Sequence, residues 1–488
     1  MMKRIIFTSM LLLLWAQEAN SFCGFYVAKA DAKLFNKSSQ VILVRDGERL
    51  TITMSNDYQG EVKDFAMVIP VPVVLKKENI KVLKRVENQP SLFEKLDAYS
   101  APRLVEYYDR NPCYQYKEEK ATAANATIAD STSVAPKDKY HVKIEAKFTV
   151  GEYDILVLSA QESGGLERWL TDNGYKIPAQ AKEVLEPYIK SGMKFFVAKV
   201  NLGLQAKKES QLLSPIQMSF NSPKFMLPIR LGMANATDFQ DLIIYALTKN
   251  GRVECSNYRT VEMPTATEIP TFIKQDFSNF YKSTFETAYQ KENKKAIFLE
   301  YAWNLNSENF FACDPCVAEP PKFAEMKEAG ATWLSAPSQD NYSGADYAGK
   351  LFFTRLHVRY DRANFAQDLT FQETPNAENY QARYVLRYPI SKAEAMECSE
   401  GKTYWKEVQT RRAKELENLV TLTGWKLADY PHAADYVEDK GSLEKAQTLG
   451  DAGNEEENKG ISPVLVGVIA LAVAVLTWIV ASGQKPRN

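Results

Sequence analysis

Hydrophobic and polar positions along the chain form three patterns. There is an uninterrupted apolar run at each end, and periodically spaced apolar residues lie between them. The first run falls within residues 1–21: Met1, Met2, Lys3 and Arg4, an apolar stretch to Trp15, then Ala19, Asn20 and Ser21. A basic start, a short apolar core and a small-residue end predict a cleaved signal peptide, since the core is too short to span a bilayer. Phe22 precedes Cys23 where a lipobox needs a small residue, which argues against a lipoprotein. The second run, residues 461–482, is free of charge from Val464 to Val480 and carries Trp478 near one end. About 20 such residues cover the hydrocarbon core, so this run predicts one transmembrane helix. Glu455, Glu456 and Glu457 precede it, and Lys485 and Arg487 follow. The positive-inside rule then places the tail 483–488 in the cytoplasm and all upstream residues outside it.

Between the runs the pattern predicts an α+β fold, mainly antiparallel sheet with grouped helices. In residues 22–263, apolar 40–44 and alternating 50–54 flank Asp46-Gly47, a hairpin signal. A strand over 65–69 ends at Pro70-Val71-Pro72, and a short helical pattern over 92–105 breaks at Pro102. Residues 118–139 hold almost no large apolar side chain and read as a mobile loop. Strands over 140–149 and 153–158, helices over 166–174 and 179–189, and strands over 195–200 and 241–248 follow. Asn250-Gly251 then signals a second turn, continued by a strand over 252–255. A second α+β region, 264–436, should hold a helix within 269–293 and strands over 296–303, 351–360 and 380–388. Its amphipathic helix 402–422 has Trp405, Val408, Leu416, Leu419 and Val420 on one side. Residues 437–460 are charged and poor in large apolar side chains, which predicts a flexible tether of roughly 25 Å mean span.

Composition narrows the classes of function. With 60 Lys plus Arg against 61 Asp plus Glu, no basic surface marks a nucleic-acid partner. The six cysteines, Cys23, Cys113, Cys255, Cys313, Cys316 and Cys398, all lie in the exported part. In an oxidising compartment they fit disulfides, and the expected pairs are Cys313–Cys316, Cys23–Cys113 and Cys255–Cys398.

Candidate chemistry is sparse. Cys313-Asp314-Pro315-Cys316 has redox spacing, but Pro320-Pro321 follows closely and works against the supporting helix such a site uses, so a structural clip is the leading reading. The three histidines, His141, His357 and His432, form no ligand motif, so no metal site is expected. No G-x-S-x-G elbow, Walker loop or G-x-G-x-x-G is present, so no catalytic residue and no cofactor is assigned. One segment concentrates polar, aromatic and turn-forming residues: Asp97, Tyr99, Ser100 and Arg103 are candidates for lining a groove.

Six pieces together carry a resemblance: Phe22-Cys23-Gly24-Phe25-Tyr26-Val27, Asn56-Asp57-Tyr58-Gln59-Gly60, the segment from Leu96 through Arg103 to Leu104, Gly174-Tyr175-Lys176-Ile177-Pro178, the Cys313–Cys316 motif and Leu356-His357-Val358-Arg359-Tyr360. In these the chain resembles the bacterial domain-of-unknown-function family 2330, over about residues 22–430. The resemblance implies a bacterial exported protein, often anchored by a C-terminal helix, with no established activity. The polar stretch after Glu118 is an insertion against that pattern. The reading drawn from the sequence is an exported, single-pass ectodomain, non-enzymatic, that binds an envelope or extracellular protein partner or organises the envelope. A thiol–disulfide oxidoreductase using Cys313 and Cys316 is the alternative, and an extracytoplasmic hydrolase with an unrecognised site is a second one.

Overall fold

A computed structural model describes residues 25–28, 38–56, 65–84, 89–114, 142–160, 163–172, 181–201, 213–234, 239–305, 318–336 and 347–458. The first strands are β1 (Phe25–Ala28), β2 (Ser38–Asp46), β3 (Arg49–Asn56), β4 (Phe65–Val71), β5 (Ile80–Val82) and β6 (Arg103–Tyr108). Next come β7 (Val142–Val150), β8 (Tyr153–Ala160), β9 (Lys194–Val200), β10 (Ile216–Asn221), β11 (Met226–Leu227), β12 (Gln240–Thr248) and β13 (Val253–Cys255). The last are β14 (Arg259–Glu262), β15 (Thr267–Glu268), β16 (Ala296–Asn304), β17 (Phe352–Tyr360), β18 (Leu369–Glu373), β19 (Tyr380–Gln381) and β20 (Arg383–Tyr388). The α-helices are α1 (Leu92–Ser100), α2 (Ser163–Asp172), α3 (Ala181–Lys190), α4 (Phe277–Lys291), α5 (Phe323–Ala329), α6 (Lys392–Ala395), α7 (Ser399–Thr423), α8 (Pro431–Ala434) and α9 (Lys440–Asn458).

The class is α+β with mixed sheets. A nine-stranded sheet runs β14-β16-β17-β12-β2-β3-β10-β5, with β19 paired to β16. At its centre β2 pairs parallel with β12 and antiparallel with β3. Val41, Ile42, Leu43 and Val44 are all buried, so β2 is covered on both faces, which is what a continuous apolar run in a strand signifies. Asp46 and Arg49 close the β2–β3 hairpin, and Gly47, at φ +57°, supplies the left-handed turn residue. Helices α1 and α5 cover one face of this sheet through Phe93, Leu96, Tyr99 and Met326. A second sheet, β1-β4-β9-β8-β7, packs Val68, Phe195 and Val197 against Leu166 and Leu185 of α2 and α3.

Several expectations need correction. The chain divides into two compact units, but not at residue 263. The first is 1–101, 122–261 and 295–381, and the second is 102–121, 262–294 and 382–488. The sequence places β16 and β17 after the boundary, yet β17 pairs with β12 over nine residues, so pairing returns them to the first unit. The predicted strand 380–388 is cut in the same way into β19 and β20. Asn250-Gly251 does turn the chain from β12 into β13, and β13 pairs with β18. Gly251 is needed for close approach, since a Cβ there would lie 2.2 Å from the backbone oxygen of Thr374. Residues 440–458 are helical, not a tether. Leu443 and Ala446 pack into the core of the second unit, and Gln447 Oε1 accepts from the backbone N–H of Leu427, which anchors this helix.

The second unit has a parallel sheet, β15-β20-β6, whose Tyr384 and Leu386 pack on Phe280 of α4 and on Leu416, Leu419 and Val420 of α7. Trp405 and Val408 of the same helix pack instead with Ala395 of α6. The loop 118–139 and the run 461–482 lie outside the described residues. Among the described residues no helix is long and apolar enough to cross a membrane.

Candidate functional site

The first unit contains a line of buried charge along β17. Arg355, His357 and Arg359 alternate in sequence, so they share one face of the strand. Opposite them on β12, in register, stand Tyr245, Ile243 and Asp241. On the other side, β16 changes register between Leu299 and Tyr301, which leaves Glu300 as the extra residue of a bulge. A bulge re-aims a side chain, and here it brings the Glu300 carboxylate to the face that holds Arg355 and His357. Helix α1 contributes Asp97 and Ser100, three positions apart and so on one side of the helix.

The contacts are continuous. Asp97 Oδ1 accepts from Arg355 Nη1 at 2.7 Å and from Tyr245 Oη at 3.0 Å. Arg355 Nε donates to Glu300 Oε2 at 2.6 Å. Glu300 Oε1 is 2.9 Å from His357 Nδ1, and Asp241 Oδ1 is 3.4 Å from His357 Nε2. Arg359 closes the line with two bonds of 2.8 Å to Asp241, and its guanidinium lies 4.1 Å from the Phe239 ring centre. The Glu300 side chain is 1 % exposed and that of Asp97 41 %, so the line is sealed at its middle and reaches solvent through α1.

Burial alone would lower the His357 pKa, but Glu300 and Asp241 on either side outweigh it and raise it. Burial likewise opposes ionisation of Asp241, yet hydrogen bonds from His357 and Arg359 hold it down at about 2. Each carboxylate of the line is thus engaged by a cation, Asp97 and Glu300 by Arg355 and Asp241 by Arg359. That is the chemistry of a clamp fixing α1 to the sheet.

A cavity of about 400 Å³ lies elsewhere in the same unit. Its walls are Leu50 and Ile52 of β3, Pro70 of β4, Phe220 of β10 and Met226 of β11. One corner is charged. There Asp368 Oδ1 accepts from Tyr188 Oη at 2.5 Å and from the backbone N–H groups of Ile229 and Arg230 at 2.9 and 3.2 Å. Asp368 Oδ2 accepts from Arg230 Nη2 at 2.8 Å, and the guanidinium lies over the Tyr188 ring. Burial first, then the Asp368 carboxylate, pushes the Tyr188 phenol well above its usual range. Apolar walls with a few convergent polar groups are the build of a small-molecule site.

The groove predicted from Asp97, Tyr99, Ser100 and Arg103 takes a different form. Tyr99 and Ser100 are fully buried and Arg103 nearly so. Tyr99 packs against Tyr301 and Phe353, and Ser100 Oγ donates to the Leu96 carbonyl. Of the four, Asp97 joins the charged line, Ser100 sits beside it at 3.4 Å from Arg355 Nη1, and Arg103 belongs to the other unit. The expected cysteine pairs also change: Cys113 is bonded to Cys398, and Cys255 is a free, buried thiol. Strands β6 and β20 run parallel and adjacent, which carries Cys113, beyond the end of β6, to the start of α7. Cys23, Cys313 and Cys316 lie outside the described residues. Sequence reasoning missed Asp241, Glu300, Arg355 and Arg359. The alternating Arg-x-His-x-Arg within one strand was their only local signal.

No curated protein and no solved structure matches the chain. A family described as uncharacterized proteins conserved in bacteria, DUF2330, matches residues 17–372. That match ends before residue 430 and covers almost all of the first unit, including the charged line and the cavity. Spanning well over half of the chain, it places the protein in DUF2330, a bacterial family without a characterized function.

Proposed function

We propose that this protein is an exported ectodomain, anchored by one C-terminal helix, whose work is to bind a ligand in the envelope. The observation that carries the binding reading is the cavity, where apolar walls converge on a fixed Tyr188–Asp368–Arg230 corner. The charged line carries no such reading, because its groups already satisfy one another. Export is supported separately by the apolar run before Phe22 and by the Cys113–Cys398 bond, since disulfides persist in oxidising compartments. The run 461–482, with basic residues after it, supports the anchor.

The test is to purify the full chain from bacterial membranes, extract it with organic solvent, and identify bound small molecules by mass spectrometry. A ligand should be recovered from the wild type and lost when Met226→Trp fills the cavity. Equal recovery from both proteins, or an empty wild type, would refute the reading. Thiol trapping in intact cells tests export: Cys113 and Cys398 should be found oxidised, and reduced thiols would place the domain in the cytoplasm.

A further inference from the structure

The charged residues lining the cavity are unequal in number and in availability. Lys224 and Arg230 face a single carboxylate, Asp368. That carboxylate already accepts four hydrogen bonds, three on Oδ1 and one on Oδ2 from Arg230, so its charge is already paired. It has little left to offer a cationic guest. Arg230 is the opposite case. Its Nη2 is held by Asp368, but its Nε is buried with no hydrogen-bond partner among the described residues. That atom is shut off from the cavity, so what a guest meets is the rest of the guanidinium, on a side chain 24 % exposed. Lys224 is exposed and adds a second positive charge to the lining. Leu50, Ile52, Phe220 and Met226 offer side chains without hydrogen-bonding N or O atoms, so the rest of the guest must be apolar.

We infer that the cavity takes a small apolar carboxylic acid: an aliphatic body against the Leu50–Ile52–Phe220 wall, with one carboxylate at the Arg230 guanidinium and Lys224 nearby. The inference rests on the binding reading and narrows it to one ligand class. An amine of the same length would meet two cations and a carboxylate already paired with Arg230. A neutral alcohol would gain nothing from the excess positive charge. A polyanion would find apolar walls where its further charges must sit.

The experiment uses the full chain in lipid nanodiscs and three diazirine photoprobes with equal chains: decanoic acid, decylamine and decanol. Adducts are mapped by peptide mass spectrometry, and labelling within residues 461–482 is taken as lipid background. The acid probe should label peptides containing Phe220 and Met226, and unlabelled decanoate should compete. Arg230→Gln should cut that labelling about tenfold or more. Because Arg230 also holds Asp368, Lys224→Gln at an exposed position serves as the second variant. It should weaken labelling by the acid while leaving decanol unchanged. Equal labelling by all three probes, preference for the amine, or indifference to both variants would overturn the inference while leaving a binding cavity. Absence of cavity labelling by every probe would overturn the binding reading itself.

Discussion

Replacing Asp241 by Asn tests whether the charged line works as a clamp. Asn keeps the shape and removes the charge that Arg359 and His357 share. The fall in the Asp241 pKa from 3.8 to about 2 corresponds to about 2 kcal/mol of stabilisation, an upper value because the side chain is 21 % exposed. A depressed carboxylate contributes above its unfolded pKa and loses that contribution as pH falls through the folded one. The wild type should therefore exceed the variant by about 2 kcal/mol at pH 6, by roughly half of that near pH 3, and by almost nothing at pH 1. Hydrogen exchange of peptides covering β12 and β17, corrected for intrinsic rates, reads this locally. About 2 kcal/mol is roughly thirtyfold faster exchange in the variant at pH 6. His357 provides a second readout with the opposite sign. Its raised pKa adds stability below the ordinary imidazole value, and that stability is lost as pH rises through the raised one. With three histidines in the chain, an NMR titration can follow it, and Asp241→Asn should move the His357 midpoint down. An exchange difference independent of pH, or an unmoved His357 midpoint, would refute the clamp.

Two further outcomes follow in the second unit. Cys113→Ser should lower its stability in urea by about 2–5 kcal/mol, and reducing the wild type should reproduce that loss; unchanged unfolding after reduction would exclude a stabilising bond. Glu415, buried in α7, is raised to about 7 by burial, against the opposing hydrogen bond from Tyr436, so the folded state of the wild type weakens as pH rises from about 4.5 through 7. Glu415→Gln should then gain up to about 3 kcal/mol on the wild type between pH 5 and 8.5, and parallel pH profiles would show that Glu415 is not the titrating group.

How far the sequence reveals these features depends on the range of the interaction that creates them. Local chemistry is legible. Gly47 turns the β2–β3 hairpin, Pro102 separates α1 from β6, and the apolar side of α7 is buried at the five positions its spacing predicts. What pairing decides is not legible. The bulge that turns Glu300 inward exists only relative to β17, and nothing in Phe298-Leu299-Glu300-Tyr301 marks it. The same holds for the cysteines, where the parallel adjacency of β6 and β20 selects Cys398 for Cys113 across 285 residues. The helix at 440–458 is hidden in the sequence for a related reason. Its few apolar residues are too sparse for a stripe and are stabilised by a core built elsewhere in the chain. The cavity is the extreme case. Its charged corner joins Tyr188, Arg230 and Asp368, which are unremarkable in their own segments and separated by up to 180 residues. A carboxylate accepting four hydrogen bonds beside a partly exposed guanidinium is a property of their meeting. Ligand preference in such a site can therefore change with a single corner residue while the strands that build the walls stay the same.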